Sequence, residues 1–570
     1  MRLHRVVAVL SLVALLGGCG ESADPETAGS DLVLRNGRVY TVDPARQWAS
    51  AVAITDGRIV YVGNDAGVDS YIGSATTSVD LGGRMVMPGF QDSHIHPISS
   101  GVEAAACDLN NLPGVAEYRA AVSAYASANP ELPWVLGGGW SMSVFGPGAM
   151  PSRQILDEIV PNRPVYLSSQ DGHTAWVNTV ALELAGIDRN TPDPPDGRID
   201  RDPVTGEPIG SLQEGAMDLV ADLIPPTTPE QTLAGLLYTV DLLNGLGITA
   251  IQDASVGPSG LDAYVSAEQR GQLTLRVVAA LRWDRDRDRS QLNELVALRD
   301  RYRSPLIDTR TVKLMQDGVM ENYTAALLEP YLLPEETRGI PMIDPEELKL
   351  IVSDLDAAGF QAHFHAIGDA AIRQSLDAIE FARERNGPSG NRHHISHLQL
   401  IDPADIPRFG KLDVVANFQP LWAYADLYIT ELTLPFIGAQ RARWLYPISS
   451  VLDTGATIAF GSDWSVSSPN PFHQMETAVL RKDALDSEDQ TFIGEERIGL
   501  ADAIAAFTIN AAFVNRLEAD TGSIEVGKLA DLIVLDQNLF DVAPEAISDT
   551  RVLLTLFAGQ PVHGDLNLDR

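Results

Sequence analysis

Cysteine is nearly absent: Cys19 and Cys107 are the only two in 570 residues. That excludes a disulfide-built scaffold, so the fold has to rest on a buried core. Lysine is almost as scarce. Only Lys313, Lys349, Lys411, Lys482 and Lys528 occur, and basic charge is otherwise carried by arginine. No block of basic residues stands out, and 77 acidic against 41 basic side chains leave a net charge of −36. Such a balance argues against nucleic acid as a partner. It reads first as a strongly solvated surface, with steering of cationic substrates as the functional alternative. Beyond the first twenty residues no apolar run is long enough to cross a membrane as a helix. What is present is a 45% hydrophobic fraction with scattered glycine and proline, enough for a sizeable core. The length fits one large domain with a satellite, or several smaller ones.

The first residues form a separate unit. Met1 to Arg5 is basic, Val6 to Leu16 is apolar and Gly17-Gly18 precedes Cys19. This is the pattern of a secretory signal, too short for a permanent span. Leu16-Gly17-Gly18-Cys19 resembles a bacterial lipobox. The resemblance implies removal of residues 1–18, lipid attachment at Cys19 and a cell-envelope lipoprotein, periplasmic or on the outer surface. Residues 19–30 then read as a flexible tether. The plainer alternative is an ordinary signal peptide with a chance cysteine.

Residues 31–87 read as short strands broken by the hairpin signals Asn36-Gly37 and Asp56-Gly57. The C-terminus has the same texture, with strands expected at Asp531 to Leu535 and Val552 to Phe557. One small sheet domain built from both chain ends, 31–87 with 521–563, accounts for the two. Between them lies alternating α/β material. Strands are expected at Met85 to Met87, Val165 to Leu167, Ile248 to Ile251, Thr274 to Val278, Val312 to Met315, Phe360 to Phe364, Val414 to Ala416 and Ala456 to Phe460. Helices are expected at Pro345 to Ala358, Ala370 to Arg385 and Leu500 to Asn510. Repeated strand–helix units favour a parallel barrel or a doubly wound sheet over 88–520. The stretch 107–224, rich in proline, glycine and aspartate, is too long for a connection and reads as an insertion shaping a pocket.

The strongest chemical cluster is Pro88-Gly89-Phe90-Gln91-Asp92-Ser93-His94-Ile95-His96. Residues two apart in an extended segment point to one side, so His94 and His96 can share one ion. Lys313, His365, His397 and Asp463 close four further strand candidates. In a β/α barrel the C-terminal strand ends converge on one face, which would gather them.

In that order the residues resemble the amidohydrolase superfamily. PGFQDSHIH, VKLMQDG, HAIGD, GSDW and TGSIEVGKLADLIVLD are similar to its YtcJ-like branch, amidohydrolase family 3, over residues 31–563. The resemblance implies a distorted TIM (β/α)8 barrel with a β-sandwich from both termini. It also implies that His94, His96, His365, His397 and Asp463 bind one or two divalent metals, zinc first among them. Lys313 corresponds to a lysine that relatives carboxylate as a metal bridge. The physics is consistent: burial lowers a lysine's pKa and leaves an amine able to capture carbon dioxide. An uncarboxylated Lys313 beside a single metal is the alternative. His363 shares the face of His365, which is preferred because it adjoins Ala366-Ile367-Gly368-Asp369. Relatives often carry glutamate where this chain has Ser396, which puts one supporting hydrogen bond in doubt.

The implied reaction is hydrolysis of a non-peptide C–N bond in a small molecule by metal-activated water, with Asp463 as base and then acid. Ester or phosphotriester hydrolysis on the same site, or metal binding without turnover, are the competing readings. Trp140, His173, Gln419 and Trp464 are candidate substrate contacts, each with a structural alternative. Gly137-Gly138-Gly139 lacks the lysine and hydroxyl residue of a phosphate loop. His393 and His394 are weaker candidates, while His473 and His563 read as surface or structural. The substrate itself and any homo-oligomer are left open.

Overall fold

The computed structural model describes residues 29–146, 150–486 and 490–568, so the expected signal and Cys19 lie outside the described residues. Its centre is a sheet of eight strands: β1 (Phe90–Ile95), β2 (Ile248–Val256), β3 (Arg276–Arg282), β4 (Ile307–Met315), β5 (Gln361–Ala366), β6 (His394–His397), β7 (Val415–Phe418) and β8 (Ile458–Phe460). They neighbour one another in chain order, and every pairing is parallel. Most residues of these strands are buried, as expected where helices cover the outside and side chains fill the interior. This is a distorted TIM barrel.

Helix Pro345–Ala357 starts on the Asp344 side chain, which accepts from the N–H groups of Glu346 and Glu347 at 2.9 and 3.1 Å. Proline at its first turn loses no hydrogen bond there. Helix Asp369–Asn386 follows β5 directly. The expected helix from Leu500 to Asn510 is two, Leu500–Ala506 and Ile509–Val514. Between them the Phe507 carbonyl accepts the Gln91 N–H of β1 at 2.7 Å, which fastens the break to the barrel.

Two strand expectations need correction. Met85–Pro88, expected both within the 31–87 sheet segment and among the α/β strands, belongs to the former: it pairs with Leu532–Leu535 antiparallel and with Arg38–Tyr40 in parallel. The chain then passes through Gly89, where a Cβ would lie 2.5 Å from the Thr249 side chain, and only Phe90 begins the barrel. Val165–Ser169 likewise belongs to a separate six-stranded sheet with Cys107–Asp108, Val135–Trp140, Thr174–Val177, Gly197–Arg201 and Pro208–Glu214. In that sheet a Cβ on Gly137 would sit 2.1 Å from the Cys107 carbonyl oxygen, so this glycine of the run serves close strand approach.

Strands from the two chain ends build two further sheets, of four and six strands. They share a core of Leu34, Val52 and Ile54 with Val86, Leu532, Val534 and Leu554. Asp56 and Gly57, both at positive φ, form the tight turn that joins Ala51–Thr55 to Arg58–Gly63. Arg276 of β3 grips Asp531 through two hydrogen bonds of 2.8 and 3.2 Å, tying this module to the barrel. Among the described residues no helix is long and apolar enough to cross a membrane.

Candidate metal centre

The site begins at the seam between β1 and β8. Asp92, fully buried, accepts the His94 N–H at 3.0 Å and the Ser462 N–H at 3.1 Å. Ser93 Oγ donates to the Phe460 carbonyl at 2.7 Å, and the Asp463 N–H to the His94 carbonyl at 2.8 Å. Gly461 makes this approach feasible, since a Cβ there would lie 2.5 Å from the His94 nitrogen. The seam places Asp463 Oδ1 3.5 Å from His94 Nε2 and 3.2 Å from His96 Nε2. From β6, His397 Nδ1 comes to 3.7 Å from Asp463 Oδ2. Ligand atoms of His94, His397 and Asp463 all lie within 4.8 Å of one another. His397 and Asp463 hold left-handed backbone, φ 79° and 54°. Such a conformation costs non-glycine residues about 1–3 kcal/mol and is characteristic of functional sites.

Electrostatics at the barrel mouth favour neutral imidazoles. Burial first, then nearby cationic groups, holds His94, His363, His394 and His397 well below the usual histidine range, and His365 likewise. Neutral imidazole is the form that binds metals. Burial also lowers Lys313 to about 7, against the opposing pull of Asp463. Its Nζ stands 3.4 Å from His94 Nε2. Burial pushes the Asp463 carboxyl up, but His96, Lys313 and His365 outweigh it and keep it below its ordinary value. Both ring nitrogens of buried His397 lack a hydrogen-bond partner among the described residues. Unpaired buried donors and acceptors beside a carboxylate match what a divalent ion would need.

The other predicted residues fall into place around this trio. His365 packs its ring 4.4 Å from that of His397, with Nδ1 3.3 Å from Asp317 Oδ1. His363 lies in the adjoining β5 position, where its Nε2 meets His94 Nδ1 and Ser396 Oγ, each at 2.9 Å. The serine thus still makes a supporting contact, to His363. The His363 ring occupies Nδ1 of His94 and leaves Nε2 facing Asp463 and Lys313. His393 accepts the Ala362 N–H at 3.0 Å and reaches Asp356 at 3.1 Å, a structural arrangement.

A cavity of about 510 Å³ opens onto His365, His397 and Asp463. His173 lines it, with Nδ1 2.9 Å from Glu214 Oε2. Burial opposes the His173 cation, but Glu214 prevails and raises its pKa to about 9. Trp422 stacks on the His397 ring at 5.4 Å between centroids. Trp140 does not reach the cavity lining. It is fully buried against Phe145 and Trp176, and its indole N–H donates to the Leu167 carbonyl at 2.9 Å. Gln419 is also fully buried behind the lining, and Trp464 follows Asp463 with its carbonyl accepting the His96 N–H at 3.1 Å. His473, expected at the surface or in a structural role, lines the cavity, while His563 sits on the edge strand Gln560–Gly564.

Residues 77–563 match the model of the amidohydrolase family. The chain belongs to that family. Among its relatives, the Arabidopsis thaliana protein LONG AFTER FAR-RED 3 is 33% identical over 94% of this chain and 92% of its own length. The putative amidohydrolase YtcJ of Bacillus subtilis is 28% identical over 93% and 99%, which fixes the branch. The N-substituted formamide deformylase of Arthrobacter pascens is 26% identical over 93% and 97%. An uncharacterized metal-dependent hydrolase from Pyrococcus horikoshii superposes with a TM-score of 0.72 at 25% identity, covering 90% of this chain and 99% of that one.

This amidohydrolase is therefore an enzyme, a hydrolase acting on carbon–nitrogen bonds. Its site also contains supporting residues that sequence reasoning missed. Asp317, four residues after Lys313, is fully buried and accepts the N–H groups of Ile367, Gly368 and Ala326 at 2.9 to 3.0 Å. It thereby fixes the turn after β5 and stands against His365. The only signal was its presence in VKLMQDG. Outer carboxylates that orient a histidine ligand change metal affinity about 10–100-fold when lost. Asp317→Asn is accordingly expected to weaken divalent-metal binding by that factor, read by competition with a chromophoric chelator; unchanged affinity would remove Asp317 from the residues that support the site.

Proposed function

We propose that this amidohydrolase is a metal-dependent hydrolase of an amide, N-formyl, N-acyl or cyclic amide bond in a small molecule. The carrying observation is the convergence of His94, His397 and Asp463 ligand atoms within 4.8 Å at a cavity mouth. His96 and His365 complete the candidate donor set, and histidine with carboxylate suits zinc first among divalent ions. A bound divalent ion would supply Lewis acidity toward the carbonyl and acidify a water to a pKa of about 7. Asp463, ionised at neutral pH, takes the proton of the attacking water on a carboxylate oxygen and returns it to the departing amine nitrogen. Lys313 would react as the free amine with carbon dioxide, forming an N–C bond, releasing one proton and becoming an anionic oxygen donor. Its burial and its lowered pKa support that role. The name of the formamide deformylase, matched along nearly the whole chain, supports the C–N assignment.

Asp463→Asn keeps the fold and bound metal in this reading but lowers turnover of an N-formyl or N-acyl amine by about 10²–10⁴-fold. Metal analysis and steady-state kinetics on the two proteins check it. Turnover surviving intact, or a wild-type protein inert on the whole panel, would count against it.

We also propose that the enzyme is exported and lipid-anchored through Cys19, on the strength of the basic, apolar and Leu16-Gly17-Gly18-Cys19 segments. Labelled palmitate should enter the wild-type protein in a bacterial host and be absent from Cys19→Ala; equal labelling of both would refute the anchor.

A further inference from the structure

The cavity above the candidate metal centre has a one-sided chemistry. Besides Asp463 it is lined by Asp171, Glu321, Asp426 and Asp483, and among the described residues no lysine or arginine reaches it. The carboxyls line one space, and burial first, then the charge of Asp171 on Glu321 and of Glu321 on Asp426, raises both above the ordinary carboxylate range, Asp426 to about 7. Glu321 is buried, and its Oε1 takes hydrogen bonds from Gln399 Nε2 and Thr433 Oγ1 at 3.2 and 3.1 Å. Asp171 Oδ1 is held by Ser169 Oγ and the His173 N–H at 2.7 and 2.8 Å. Its Oδ2 is buried with no hydrogen-bond partner among the described residues.

Aromatic side chains complete the wall. Trp422, Tyr428 and Tyr446 line the same cavity, and such π-systems attract cations electrostatically. Among the described residues the one strongly basic group on the lining is His173, and Glu214 neutralises it at 2.9 Å while Thr324 Oγ1 donates to the other Glu214 oxygen at 2.6 Å. That pair therefore offers an incoming anion little net charge. A carboxylate or phosphate on the substrate would meet acidic side chains with no guanidinium or ammonium to receive it. A positive group would relieve their mutual repulsion, gain aromatic contact and reach the bare Asp171 oxygen.

Resting on the hydrolase reading above, we propose that the substrate carries an ammonium or other cationic group, bound among Asp171, Glu321, Asp426 and the aromatic wall while its C–N bond lies at Asp463. Acyl amines with a second, protonated amine form the class; N-acyl amino acids with a free carboxylate do not.

Three matched N-formyl compounds test this on the metal-loaded enzyme: 5-(formylamino)pentan-1-amine, N-formylpentylamine and 5-(formylamino)pentanoate. The ammonium compound should exceed the carboxylate in kcat/KM by at least about tenfold, with the neutral compound between them. Asp171→Asn and Asp426→Asn should each shrink the ratio of ammonium to neutral, a readout that general damage to the enzyme leaves unmoved. Turnover of the neutral compound without preference for the ammonium compound would overturn the inference and leave the hydrolase reading standing. If none of the three is turned over, the N-formyl hydrolase reading fails, and calorimetry of pentylammonium against 1-pentanol still decides the cation site. Binding of the ammonium about tenfold tighter supports it; equal binding overturns it.

Discussion

The architecture of the site depends on how β1 meets β8. A closed barrel needs its first and last strands to come together, and here side chains share the work with the backbone. One buried carboxylate, Asp92, takes N–H groups from both sides of the seam. Ser93 reaches across to the Phe460 carbonyl, and Gly461 removes the Cβ that would otherwise strike His94. The same contacts put His94 and Asp463 face to face. Barrel closure and assembly of the donor cluster are therefore one structural event.

Burial then sets the chemistry. Histidines and a lysine brought into a desolvated barrel mouth lose the stabilisation of their charged forms, so the imidazoles stay neutral and Lys313 falls to about 7, within reach of its free amine. Asp463 resists the same effect because His96, Lys313 and His365 surround it. A buried carboxylate costs free energy unless hydrogen bonds or positive charge complete it, and a divalent ion beside Asp463 would do so more fully than these side chains. The supporting shell is built on the same logic. Asp317 spends three backbone N–H groups to stand beside His365, and His363 occupies the inner nitrogen of His94.

Much of this was legible in the chain because the donors sit where apolar strands end in polar turns. His94, His96, Lys313, His365, His397 and Asp463 stand out there, and the barrel topology draws them together. The texture shared by the two chain ends likewise pointed to one small sheet domain from both, and one six-stranded sheet does join strands of the two ends. The failures have physical causes. Met85–Pro88 and Phe90–Ile95 are two apolar segments parted by one glycine, and only long-range pairing with Leu532–Leu535 reveals that they serve different sheets. An indole after three glycines suits a pocket wall or a core equally, and Trp140 went to the core. The carboxylates of the cavity were unreadable because Asp171, Glu321 and Asp426 lie in separate loops among 77 acidic residues, and only the fold gathers them.

The seam residues would form a metal-binding hydrolase centre. Anomalous diffraction from crystals of the zinc-loaded protein, collected on both sides of the zinc absorption edge, tests it most directly. A strong edge-dependent peak is expected within coordination distance of His94, His397 and Asp463, with His96 or His365 turned toward it. A fully loaded crystal with no peak there, or with its metal bound only elsewhere, would contradict the account.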